Sequence, residues 1–244
     1  MNKISLRKFL YKLNLVIGVS FVTIFNTIPA QAVSDFYSEN DIQFYDPSAC
    51  DPNESSSSPD NNPRNPGGIY IVGDSITAIA KDSYIKKFND NGWSPTIEGL
   101  SSRHISSNNP SPSGINQVKN DKDKIKTAKT VVVALATNDQ SLGEDTLKGQ
   151  IEDMISEVKK ANSDASIFWV NIIDTRSYSR SKNINNIIAD SIGDSNIIDW
   201  YSKAKSKANL SSFDTGVHPT QQSDIDLLVN TVYDAVSNTD SEIA

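Results

Sequence analysis

The sequence predicts an α/β domain: a three-layer α/β/α sandwich around a mainly parallel five-stranded sheet. Two observations carry that reading. Short β-rich apolar runs recur along the chain from residue 68 onward, and stretches of helical periodicity separate them. The run from Val131 to Leu135 is also apolar throughout instead of alternating, the pattern of a strand buried on both faces.

Ile69-Tyr70-Ile71-Val72 is the first strand and ends at Gly73. Thr77 to Asn91 carries helical spacing through Ala78, Ile79, Tyr84, Ile85 and Phe88, and stops near Gly92. Thr96-Ile97 is a short second strand. Ile115 to Ala128 reads as a charged helix with Ile115, Val118 and Ile125 on its apolar side. Thr130 to Ala136 is the clearest strand, since Val131, Val132, Val133 and Leu135 form a nearly unbroken apolar run. Leu147, Ile151, Met154, Ile155 and Val158 fall on one helical stripe. A strand over Ile167–Ile173, a helix over Ile184–Ile192 and a strand over Asn196–Asp199 follow. The last helix starts after His218-Pro219, with Leu227, Leu228, Val232 and Val236 inward and Asp224 adding early negative charge.

The region before this domain is different in kind. Lys3, Arg7, Lys8 and Lys12 precede a largely apolar stretch over 13–28, and Ala30-Gln31-Ala32 offers a small-x-small cleavage pattern. Residues 1–32 therefore read as an export signal cleaved after Ala32, which implies a secreted or extracytoplasmic protein. A membrane is contacted only through this segment, if it is retained. Residues 33–67 hold Ser55-Ser56-Ser57-Ser58, five prolines, seven acids and one arginine, and read as a disordered linker. Residues 68–244 form the folded domain.

Composition narrows the function. The 244 residues carry a formal charge of −7, and removal of the four positive charges of the leader makes the remainder more acidic still. That balance argues against a nucleic-acid partner, which wants a basic patch. The single cysteine, Cys50, excludes an internal disulfide framework and a cysteine-based zinc site. There is no Gly-rich phosphate loop and no His-x-x-x-His metal pair, so neither metal nor cofactor is expected.

In a parallel α/β sheet, reactive groups gather at the carboxyl ends of the strands. Ser75 stands just past the first strand, where glycine permits a sharp turn and a helix start aims N–H groups at the loop. It is either an exposed nucleophile or a helix cap. A serine nucleophile needs a base, and the chain has two histidines, His104 and His218. His218 follows the fifth strand with Asp214 close by in sequence, an acid able to orient an imidazole. Asn138 follows the third strand, either as an oxyanion donor or as an ordinary turn residue.

Taken together, Gly73-Asp74-Ser75-Ile76-Thr77, Thr137-Asn138-Asp139 and Val217-His218-Pro219-Thr220 resemble the blocks of the SGNH (GDSL-like) hydrolase superfamily. Order and spacing match over about residues 68–237. The resemblance implies a flavodoxin-like sheet order and a serine esterase or related acyl transferase without a metal cofactor. It makes Ser75 the nucleophile, His218 the base, and the Ser75 N–H and the Asn138 amide oxyanion donors. A further donor comes from the second block, where Gly99 and Ser102 are both candidates. Ala136 replaces the glycine of the third block. The superfamily's acid stands three residues before the histidine, where this chain has Thr215. Asp214 is taken as the acid, brought into reach by a bulge at Gly216. A backbone carbonyl orienting the ring, or Asp199 from outside the loop, are the alternatives. Arg103 and His104 are candidate substrate contacts at one rim of the cleft, with Asp174, Arg176 and Tyr178 on the other. The expected function is an exported esterase acting on O-acyl esters, most simply O-acetyl groups of a small molecule or a cell-envelope glycan. The alternatives are an O-acetyltransferase on surface polysaccharide and a non-catalytic glycan-binding module.

Overall fold

The structure is a computed structural model and describes residues 67–241. The expected leader, and all but the last residue of the expected linker, lie outside the described residues. Five strands form one sheet: β1 (Gly68–Gly73), β2 (Ser94–Gly99), β3 (Ala128–Ala134), β4 (Ser166–Val170) and β5 (Ile197–Ile198). Among the described residues seven α-helices accompany them: α1 (Ser75–Asp90), α2 (Gly114–Asn120), α3 (Lys122–Lys126), α4 (Glu144–Ala161), α5 (Tyr178–Ile192), α6 (Trp200–Lys207) and α7 (Gln222–Ser241). The strand order is β2-β1-β3-β4-β5, and every neighbouring pair is parallel.

Two cores follow from the two-residue period of a strand. Ile69 and Ile71 of β1, Val132 of β3 and Phe168 and Val170 of β4 point to one face. There they meet Ala80, Tyr84 and Phe88 of α1, Trp200 and Ala204 of α6, and Leu228, Val232 and Val236 of α7. Tyr70, Val72, Val131, Val133, Ile167 and Trp169 point to the other face. They meet Val118, Ile125, Leu147, Ile151, Met154, Ile184 and Ile188 from α2 to α5. Unbroken apolar runs in β1 and β3 are thus the direct signature of a three-layer sandwich.

Chain order places β2 on one side of β1 and β3 on the other. The loops leaving β1 and β3 therefore diverge and open a crevice at their carboxyl ends, the usual ligand position in such sheets.

Some boundaries differ from the sequence expectation for tertiary reasons. The single helix expected over 115–128 is two helices joined at Asp121. The Asp121 carboxylate is buried and accepts from the Tyr70 hydroxyl at 2.9 Å and the Gln117 amide at 2.7 Å. Those partners fix the chain at the break. Strand β3 ends at Ala134, short of Ala136, and the freed Leu135 carbonyl accepts from Trp169 Nε1 at 3.1 Å. Residues 200–207, unassigned from sequence, form α6, capped by Asp199 through the Ser202 N–H at 3.1 Å.

Phe88 joins three rings: Trp93 at 5.6 Å, Tyr233 at 5.5 Å and Tyr84 at 6.4 Å between centroids. Phe88→Ala should lower the unfolding free energy by about 3–5 kcal/mol, measured by urea denaturation.

Candidate active site

The turn from β1 into α1 sets the first group. Asp74 caps α1, its Oδ1 accepting the Ile76 N–H at 2.9 Å. Because Asp74 fills the capping role, the Ser75 hydroxyl is not consumed by it. Ser75 Oγ instead lies 2.7 Å from His218 Nε2, across 143 residues of sequence. Both side chains are half-buried.

The loop that carries His218 closes on its own backbone. Asp214 N–H donates to the His218 carbonyl at 2.9 Å, and His218 N–H donates back to the Asp214 carbonyl at 3.0 Å. Neither acid considered for the site reaches the ring. The Asp214 side chain is exposed, and it is Thr215 Oγ1 that lies 2.9 Å from His218 Nδ1. Gly216 does take φ 78°, but Thr215 itself takes φ 51°, and this twist turns the threonine rather than the aspartate toward the imidazole. Asp199 is committed elsewhere, to the α6 cap and to the Asn171 amide at 2.8 Å. Sequence reasoning missed Thr215, although its place three residues before His218 was the available signal.

The loop after β2 forms the opposite wall. Gly99 ends β2 beside Gly73, and a Cβ there would stand 2.3 Å from the Ala78 backbone nitrogen. Its lack of a side chain thus serves the close approach of β2 to α1. Leu100 to Arg103 then form a turn closed by Arg103 N–H to the Leu100 carbonyl at 3.3 Å, with Ser102 at φ 57°. Ser102 is exposed and its N–H has no protein acceptor among the described residues.

Arg103 corrects the expectation of a rim contact. It is 2% exposed. Its guanidinium donates to the carbonyls of Gly73 at 3.1 Å, Pro112 at 3.3 Å and Glu98, and to Gln117 Oε1 at 3.0 Å. A buried guanidinium with four acceptors ties β1, β2 and α2 together and has no face left for a substrate. His104 pairs through Nδ1 with Asp139 Oδ1 at 2.9 Å, and the other Asp139 oxygen accepts the Ile105 N–H at 3.2 Å. Burial raises the Asp139 carboxyl above its ordinary range, and the His104 contact opposes that. Asn138 Nδ2 donates to the Arg103 carbonyl at 3.0 Å, and reaches Asp74 Oδ2 only at 3.5 Å. Its first hydrogen is held and its second is weakly engaged.

The loop after β4 braces the histidine loop. Thr175 N–H donates to the Gly216 carbonyl at 2.8 Å. Arg176 grips Asp174 through Nε at 2.9 Å and Nη2 at 2.7 Å, which holds the Asp174 carboxyl below its ordinary range. Tyr178 starts α5 and packs its ring edge-on to Tyr201.

Ser102, Ala136 and Thr215 are the non-glycine residues with positive φ among the described residues, at 57°, 98° and 51°. All three stand on loops that frame the crevice. Backbone held in these regions costs about 1–3 kcal/mol each and tends to gather at functional sites.

No family model and no curated protein matches the chain. Solved structures do. A lipase/acylhydrolase from Enterococcus faecalis matches with a TM-score of 0.56 at 20% identity, over 70% of this chain and 96% of that one. A carbohydrate acetylesterase from Sinorhizobium meliloti matches with a TM-score of 0.55 at 14% identity, over 70% and 99%. The catalytic domain of a Streptococcus pneumoniae peptidoglycan O-acetyltransferase matches with a TM-score of 0.53 at 15% identity, over 71% and 94%. The chain shares the fold of the SGNH, or GDSL-like, hydrolases, a fold found here in esterases, lipases and an acetyl transferase.

Burial pushes the Asp74 carboxyl up to about 6 from an ordinary 3.8, against hydrogen bonds from Ile76 and Thr137. The folded state therefore binds this proton more tightly than the unfolded state does. The contribution of Asp74 to stability is greatest below pH 4 and is lost as pH rises through 6. Asparagine also caps helices but carries no charge to desolvate. Asp74→Asn should raise the unfolding free energy at pH 8 by on the order of 3 kcal/mol at most, and give little gain at pH 4, measured by urea denaturation at the two pH values.

Proposed function

We propose that this chain, which carries the SGNH hydrolase fold, is a serine esterase that cleaves O-acyl esters through an acyl-Ser75 intermediate. The observation that carries the reading is the 2.7 Å contact between Ser75 Oγ and His218 Nε2. It joins a nucleophile and a base at the carboxyl end of a parallel sheet.

In the first half-reaction, the Ser75 hydroxyl proton passes to His218 Nε2 as Oγ bonds to the ester carbonyl carbon. Negative charge develops on the carbonyl oxygen. The Ser75 and Ser102 N–H groups and the second hydrogen of the Asn138 amide are the donors assigned to it. When the carbonyl re-forms, the alcohol leaves with the proton that His218 had taken. A water molecule then repeats the sequence on the acyl enzyme: it gives a proton to His218, attacks the carbonyl, and releases the carboxylic acid as the proton returns to Ser75. His104, whose Nε2 has no protein partner among the described residues, stands beside this wall as a candidate substrate contact.

Short acyl groups, O-acetyl above all, are the substrate class proposed. The leader-like first 32 residues support an extracytoplasmic enzyme acting on acylated small molecules or glycans.

Hydrolysis of p-nitrophenyl acetate by the full chain tests this. Ser75→Ala and His218→Ala should each lower kcat/KM by about 1,000-fold or more. Folded variants with wild-type rates would overturn the reading.

A further inference from the structure

We infer that Thr215 is the positioning residue of this site: its hydroxyl holds His218 in the one tautomer that can act as a base, and does so without a negative charge. The inference rests on the Ser75–His218 reading above and extends it.

A hydroxyl has one hydrogen to give, and two groups stand close to Thr215 Oγ1. The Asp214 carbonyl oxygen lies at 2.7 Å and His218 Nδ1 at 2.9 Å. A carbonyl oxygen can only accept, so the threonine hydrogen goes to Asp214. Toward the ring, Oγ1 can then only accept, so Nδ1 must carry a hydrogen. In a neutral imidazole this leaves Nε2 with its lone pair, and Nε2 faces Ser75 Oγ at 2.7 Å. The bonds run in one direction: Ser75 hydroxyl to imidazole, imidazole to Thr215 hydroxyl, Thr215 hydroxyl to backbone carbonyl. Reversal at any link would leave two lone pairs or two hydrogens facing each other.

The backbone supports the same reading. Thr215 sits at φ 51°, a region that a β-branched side chain rarely occupies. It is held there by the Asp214–His218 backbone pair and by Gly216 N–H to the Phe213 carbonyl at 3.2 Å. The strain buys the direction of one hydroxyl. Meanwhile the carboxylate next door, Asp214, remains exposed. When His218 takes the serine proton, the new positive charge therefore meets a hydroxyl dipole at Nδ1 and not an anion. The threonine orients the ring but offsets little of its charge.

The measurement is kcat and KM of the full chain on p-nitrophenyl acetate, with melting temperatures, for Thr215→Ser, Thr215→Val, Thr215→Gly and Thr215→Asp beside Ser75→Ala. Valine keeps the shape and removes the hydroxyl. It should lower kcat by about 10-fold or more with KM little changed, as expected for a contact that matters in the transition state. Serine should restore kcat to within about 3-fold of wild type. Glycine, freed of the strain, should melt no lower than wild type while losing kcat as valine does. Aspartate tolerates this backbone region and brings an anion to Nδ1, so its kcat should exceed that of the valine variant and reach at least the wild-type value. A valine variant with wild-type kcat, or an aspartate variant no faster than valine, would overturn the role of Thr215. If Ser75→Ala keeps the wild-type rate, it is the Ser75–His218 reading that fails; if it abolishes turnover while valine does not, only the Thr215 inference fails.

Discussion

The buried Asp74 carboxylate accepts the Ile76 N–H at 2.9 Å, and the freedom of the Ser75 hydroxyl depends on that cap. A helix start needs an acceptor for its free N–H groups. Ser75 would be a competent one, but a capping serine turns its hydroxyl inward to the helix. With Asp74 in that role, the Ser75 hydroxyl is left for His218. The cost falls on Asp74, which is charged at neutral pH in a site that burial makes hostile to charge. Asn138 then stands between this carboxylate and the Arg103 carbonyl, so the same buried group touches both the turn from β1 into α1 and the loop after β3.

Strain gathers at this crevice and is absent from the strands. Ser102, Ala136 and Thr215 each leave ordinary backbone space, and each lies on a different loop. The rigid parts hold them there. Arg103 ties the carbonyls of Gly73, Glu98 and Pro112 under the Ser102 turn. Trp169, fully buried, fastens the Leu135 carbonyl next to Ala136. Thr175 holds Gly216 beside Thr215.

Much of this was legible in the sequence. The apolar runs of β1 and β3 announce burial on both faces, because each residue there must satisfy a core whichever way it points. Ser75 and Asn138 stand out because they follow strands that a parallel sheet aligns at one edge, and His218 because it is one of two histidines and lies in the loop before the last helix. What escaped the sequence was decided by distant partners. Arg103 reads as a substrate contact at the cleft rim until carbonyls from three separate segments surround it. Asp214 reads as the acid because charge suggests it, yet a single residue at φ 51° turns Thr215 to the ring instead. The break at Asp121 comes from a tyrosine on β1, 51 residues earlier. Local patterns carry periodicity and loop chemistry; they do not carry which side of a turn faces inward.

An activated serine is the central claim, and covalent labelling tests it without any assumption about the natural ester. The full chain would be treated with a fluorophosphonate probe and the modified peptide mapped by mass spectrometry. The account predicts one adduct, on Ser75, absent in Ser75→Ala and strongly reduced in His218→Ala. A folded protein that takes no label, or takes it on another residue with Ser75 untouched, would contradict it.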